Sequence, residues 1–231
     1  FQENGIDHEK VAYCITDLEH NIKYSMNEKD EFIAASIYKL PLAMLYYDKV
    51  NDGEYTLDST FTYSGYMHED AGVVSSNYGI GSQIPLSDLL DDLIEYSDND
   101  AGHILYENLG GWKEYKEAMT KYTDSISENY YTEDNVSTAN TMNDVVTYLY
   151  EHKEDYKDLI ENMEKAEPGE YLDRDTQLSM PQKYGMYDSA LNSVGFVECN
   201  TPYSIVVLTD LGNKGADVMA NINRIAYEHF K

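Results

Sequence analysis

Near both ends of the chain, apolar and polar positions alternate with a period of two; between them the apolar positions recur every three to four residues. Val11-Ala12-Tyr13-Cys14-Ile15-Thr16 reads as a strand, Asp17 to Asn21 carry turn chemistry, and Ile22-Lys23-Tyr24-Ser25-Met26 reads as the return. Ile37, Leu40, Leu42, Ala43, Leu45 and Tyr46 then predict a helix over 36–50. Pro41 falls early in it, where a missing N–H costs less than in mid-helix. Helices follow over 86–96, 101–109 (ended by Gly110-Gly111), 113–122, 141–152 and 156–164. The pattern then returns to strands at 182–187, 191–198 and 203–208, and an amphipathic helix over 218–230 closes the chain.

Strands from both chain ends most simply share one sheet. The expectation is therefore a mixed α/β (α+β) fold: an antiparallel five-stranded sheet flanked by helices, with an all-helical lobe inserted. With no repeat or low-complexity linker, 1–231 reads as a single domain, its sheet lobe near 1–50 and 180–231 and its helical lobe near 51–179.

Charge narrows the partners. The 43 acids and 16 bases leave a net charge of -27, which repels phosphate backbones and anionic lipid surfaces, so nucleic acid is not an expected partner. No apolar run reaches the ~20 residues of a membrane-spanning helix. The chain opens on Phe1 rather than Met, which fits a mature exported domain and an extracytoplasmic setting. Tyrosine is abundant, at 23 residues against 5 Phe and 1 Trp, and reads mainly as half-buried core. Cys14 and Cys199 are too few for a disulfide framework, and whether they pair is left open. His8, His20, His68, His103, His152 and His229 form no metal-ligand spacing, so neither a metal nor another cofactor is expected.

Three short strings carry chemistry. In Ser36-Ile37-Tyr38-Lys39, positions i and i+3 of a helix are neighbours, so a lysine amine can act as base for a serine hydroxyl. At a helix start, unpaired N–H groups favour an alkoxide and disfavour a protonated lysine. The competing reading is a serine N-cap with an exposed lysine. Ser97-Asp98-Asn99 reads either as a polar turn ending a helix or as a relay: Ser97 at the leaving group, Asp98 holding the turn, Asn99 donating to the substrate's acyl side chain. Lys183-Tyr184-Gly185 opens a strand on which Lys183 would fix Ser97 and attract a carboxylate, while Gly185 would let a substrate backbone approach. The Met186 amide, with that of Ser36, would form an oxyanion hole.

Each string is weak alone, but their order and contexts together follow one template, S-x-x-K, S-D-N and K-T-G. On these motifs, on Phe32-Ile33-Ala34-Ala35 before the serine, and on Tyr187-Asp188 and Val194-Gly195-Phe196-Val197, the chain resembles the serine β-lactamase and penicillin-binding superfamily, most closely its class A β-lactamase-like branch. The resemblance implies a hydrolase that acylates Ser36 with a β-lactam or a peptidoglycan-like D-peptide, using Lys39, Ser97 and Lys183, with Asn99, Tyr184, Gly185 and Met186 at the substrate.

Two departures stand out. Tyr184 occupies the threonine position, where its ring is expected to crowd the cleft. The deacylation motif E-x-x-L-N is missing from the stretch before Ser137-Thr138, where Glu128 and Glu133 are the nearby candidates for its glutamate. A slow second half-reaction is the expected consequence. A binding domain that keeps the fold without catalysis is the alternative.

Overall fold

The computed structural model describes residues 5–65, 72–176 and 178–231; His68 lies outside them. In chain order the elements are β1 Val11–Asp17, β2 Ile22–Met26, β3 Phe32–Ile33, α1 Lys39–Asn51, β4 Thr60–Thr62, α2 Val73–Asn77, β5 Gln83–Pro85, α3 Leu86–Glu95 and α4 Asn99–Asn108. There follow α5 Trp112–Met119, β6 Val136–Ser137, α6 Ala139–Glu151, α7 Lys157–Lys165, β7 Gln182–Tyr187, β8 Ala190–Val197, β9 Tyr203–Asp210 and α8 Lys214–Phe230.

The main sheet has five strands in the order β2-β1-β9-β8-β7, with every neighbouring pair antiparallel. β1 and β9 pair from Val11↔Thr209 to Asp17↔Tyr203, so the two ends of the chain close one sheet. Two short ribbons, β3 with β6 and β4 with β5, accompany the helices between.

Alternation along the strands sorts the core into two layers. Ala12, Cys14, Val194, Phe196, Val206 and Leu208 join a cluster with the residues of α1, α3 and α6. Val11, Ile15, Leu191, Val197, Tyr203, Ile205 and Val207 face the other way, onto Val218, Met219, Ile222 and Phe230 of α8. Covered on both faces, β8 is buried along its whole length, whereas the edge strand β2 is mostly exposed. Losing one such side chain, as in Leu208→Ala, costs about 2–5 kcal/mol.

α1 is buried from Lys39 through Tyr47, on all sides rather than along one stripe, and packs against α3, α4, α5 and α7. A buried polar bridge ties α6 to the sheet. Asn143 donates to Thr16 Oγ1 at 2.9 Å and accepts from Ser204 Oγ at 2.9 Å.

The sequence reading is corrected at several boundaries. The helix expected over 36–50 is a 3-10 turn, Ala35–Tyr38, followed by α1. The expected starts at 101 and 218 move up to Asn99 and Lys214. Both cysteines are free; Cys14 lies in the core, where burial pushes its thiol up to about 12.

Candidate active site

Ser36 sits in the second position of the Ala35–Tyr38 turn, half-buried, and no side chain caps that turn. The N-cap reading of the serine is therefore replaced by a tighter geometry. The Lys39 amide donates to the Ser36 carbonyl, the i to i+3 bond of a 3-10 turn, in which side chains three apart eclipse one another. Ala35 enters the turn with φ +50°, a left-handed conformation that few residues with a Cβ adopt.

Neighbouring elements hold that backbone. The side-chain amide of Asn192, on β8, donates to Ile33 O at 2.8 Å and to Ala34 O at 3.1 Å. Asn135, just before β6, donates to Ala35 O at 2.8 Å, and its own carbonyl accepts from Ala34 N at 2.9 Å. Gly185 on β7 closes the enclosure. A Cβ there would stand 2.7 Å from Ser36 N, 2.9 Å from Ile37 N and 3.0 Å from Ala34 O. The missing side chain at Gly185 thus makes room for the serine turn against the face of β7.

Lys39 is fully buried and crosses to the second motif. Its ammonium donates to Ser97 O at 2.5 Å and to Asn99 Oδ1 at 2.6 Å, with Ser97 Oγ at 3.5 Å. Ser97 adopts φ +56° in the link between α3 and α4. Asp98 fixes that link, accepting from Ala101 N at 2.9 Å as the N-cap of α4 and from Val74 N at 3.1 Å. The Asn99 Oδ1 accepts from Lys39, because a buried ammonium needs acceptors; the donor expected toward substrate is the other end of that amide, Nδ2. Gly102, one turn into α4, allows the close approach, since a Cβ there would lie 3.3 Å from Lys39 Cε.

The third motif lies on β7, the edge strand beside the serine turn. Lys183 is fully buried, and its ammonium donates to Tyr184 O at 2.9 Å, not to Ser97 as expected. The Tyr184 ring, 4.2 Å from the ammonium, draws it there. Burial, and then the Lys39 charge, hold Lys183 well below the usual lysine range. Tyr184 stacks on Tyr171 at 4.9 Å and 21°, which gives its ring a partner from the stretch after α7 that ends at residue 176. Burial pushes its phenol up to about 12.

Met186 is 61% exposed, and its backbone is the relevant part. Tyr187 and Ala190 flank a two-residue connection, so they form a hydrogen-bonded pair and the pairs alternate from there. The Met186 amide therefore faces away from β8, on the open edge, one residue from where Gly185 meets Ser36.

In the 123–135 segment, Glu128 and Glu133 are both exposed. What reaches the serine turn from this stretch is the Asn135 amide. Buried Lys116 anchors the stretch, donating to Thr132 O at 2.7 Å and Asp134 O at 2.6 Å, against the rings of Trp112 and Tyr130. Asn135, Asn192, Lys116 and Tyr171 were not singled out from sequence; nothing local marks them.

The arrangement is that of a mixed α/β protein with a serine turn at the edge of an antiparallel sheet. A family model described as the beta-lactamase enzyme family matches residues 4–230, and the chain belongs to that family. Among solved structures, a β-lactamase from Chitinophaga pinensis is similar at 21% identity, over 96% of this chain and 94% of that one, with a TM-score of 0.80. PBP-A, solved also as a variant's acyl-enzyme complex with penicillin G, is similar at 17% identity, over 95% and 89%, with a TM-score of 0.82. TLA-1 extended-spectrum β-lactamase is similar at 20% identity, over 95% and 92%, with a TM-score of 0.81. At these identities the likeness to each solved structure is one of fold.

Proposed function

We propose that this chain is a serine acyl-transfer hydrolase that acylates Ser36 with β-lactams or peptidoglycan-like D-peptides and releases the acyl group slowly. The observation that carries the reading is the buried Lys39 ammonium bridging Ser97 and Asn99, three residues after Ser36. It joins two motifs distant in sequence into one proton-handling centre. Membership of the beta-lactamase family and the penicillin G acyl-enzyme of PBP-A support the substrate class.

In the first half-reaction, Ser36 Oγ attacks the amide carbonyl and its proton passes to Lys39 Nζ, which must be neutral at that moment. Of the two buried amines, it is Lys183 that burial and then the Lys39 charge push toward the neutral form. The Ser36 and Met186 amides take the oxyanion charge. Collapse of the tetrahedral adduct breaks the C–N bond, and a proton relayed through Ser97 Oγ neutralises the leaving nitrogen. The ester on Ser36 then awaits water. Neither Glu128 nor Glu133 is buried at the serine, and E-x-x-L-N is missing, which supports a long-lived acyl-enzyme of penicillin-binding type. An extracytoplasmic setting belongs to the same reading, since cell-wall peptides are met there.

Intact-mass analysis after incubation with benzylpenicillin, run beside chromogenic cephalosporin turnover, tests this. A stable adduct of one penicillin, lost in Ser36→Ala, is expected. An adduct that persists in Ser36→Ala overturns the assignment of the nucleophile, rapid turnover overturns slow release, and neither adduct nor turnover favours a non-catalytic binding domain.

A further inference from the structure

We propose that Asn135 is a positioning residue that sets the oxyanion donor of the site by holding the peptide plane between Ala35 and Ser36. The inference rests on the reading of Ser36 as the acylated group.

Ala35 O and Ser36 N belong to one peptide unit. In a planar trans peptide the C=O and N–H point in opposite directions, so whatever holds the oxygen also aims the hydrogen. Asn135 Nδ2 donates to that oxygen at 2.8 Å. Its partner is a carbonyl, which only accepts, so the orientation of the asparagine amide is determined. The same bond draws electron density toward Ala35 O and makes the Ser36 N–H a stronger donor.

The clamp is needed because the turn is strained. Ala35 has φ +50° and, as an alanine, gains nothing from that conformation. Relaxation to the right-handed region would rotate the peptide and carry the Ser36 N–H away from the cleft. The carbonyls of Ile33 and Ala34 are already held by Asn192, itself fixed from β9 by Thr209 N at 3.0 Å. Asn192 does not reach the last carbonyl before the nucleophile; Asn135 does. It grips the turn twice, since its own carbonyl accepts from Ala34 N at 2.9 Å. Lys116 fixes the stretch that delivers it through Thr132 O and Asp134 O. The segment that lacks a deacylation glutamate thus contributes to the acylation step.

The test compares Asn135→Ala and Asn135→Asp with wild type and with Asn129→Ala, which loosens the same segment where Asn129 meets Glu31. Stopped-flow acylation by benzylpenicillin separates the dissociation constant of the first complex from the acylation rate constant. Infrared difference spectra of the trapped adduct report the ester C=O stretch. Both Asn135 variants are expected to lower the acylation rate constant roughly 10–100-fold. The dissociation constant should change less than about threefold, and the ester band should move to higher wavenumber as the oxyanion donor is lost. Asn129→Ala should leave rate and band unchanged. Asn135→Asp keeps the volume and cannot donate, so it carries the test if Asn135→Ala does not fold. Asn135 variants that acylate at the wild-type rate with an unmoved band overturn the inference, even if they melt earlier. A wild-type protein that forms no adduct at Ser36 instead overturns the functional reading, and this inference with it.

Discussion

Lys39 and Asn99 are joined by a hydrogen bond of 2.6 Å, from the lysine ammonium to the amide Oδ1. The bond holds the amine without adding charge. In Asn99→Asp a carboxylate would take the same place, and an opposite charge at that distance favours the protonated lysine. A lysine held as ammonium is not a base. Acylation by benzylpenicillin at pH 7 should fall about 10–100-fold, and the rising limb of its pH profile should move to higher pH. The acylation rate between pH 6 and 10 checks this; a slower enzyme with an unmoved limb would separate Asn99 from the proton-handling role.

Gly185 meets the backbone of the serine turn, where a Cβ would lie 2.7 Å from Ser36 N. Neither a strand ladder nor a peptide nitrogen can yield as a flexible side-chain tip can. Gly185→Ala should therefore cost about 1–3 kcal/mol of stability, read by thermal unfolding. It should also slow acylation, because relief comes most readily by pushing the turn off the strand edge. A variant with wild-type melting and acylation would show that the turn has room to move.

How much of this was legible in the sequence depended on the range of the interaction. The strands 182–187 and 203–208 and the helix that α1 became announce themselves through consecutive residues whose period matches their burial. Ser36, Lys39, Ser97 and Asn99 were legible through short spacings that have few structural meanings in combination. The boundary at Ser36 was not, because alanine carries no signal for a left-handed conformation and Ala35 adopts one only under restraint from elsewhere. Those restraints, Asn135 and Asn192, lie 100 and about 159 positions from the carbonyls they hold. A lone asparagine at such a distance has no period and no local partner. Tyr184 shows the same limit: its crowding was expected from its size, but its stack on Tyr171 depends on a residue 13 positions away being brought onto β7.

The exposed acids of the 123–135 segment give a negative prediction. Glu128 and Glu133 both lie in solvent, where a carboxylate is not held in the fixed geometry that a general base needs. Glu128→Gln and Glu133→Gln should each leave the lifetime of the penicillin adduct within about twofold of wild type. Time-resolved mass spectrometry after removal of free penicillin measures it. A tenfold longer lifetime in either variant would identify that residue as a deacylation base.

Asp92, on α3 beneath the Ser97-Asp98-Asn99 link, gives the protein a pH dependence of its own. The residue is 8% exposed. Burial first, then the charges of Asp98, Asp88, Asp91 and Glu95, raise its carboxyl to about 7. In the unfolded chain the same group ionises near 4. A carboxyl raised on folding leaves stability intact below the unfolded value and removes it progressively as the pH climbs to the folded one, at about 1.4 kcal/mol per unit. Asn has nearly the same shape and no charge to bury. Asp92→Asn should therefore melt close to wild type at pH 4 and roughly 5–10 °C above it at pH 8, with the gap opening between those two values. Melting curves of both proteins from pH 4 to 9 measure the difference, in which repulsion among the protein's other acids largely cancels. A gap that stays constant with pH would mean that Asp92 ionises as freely in the folded protein as in the unfolded chain.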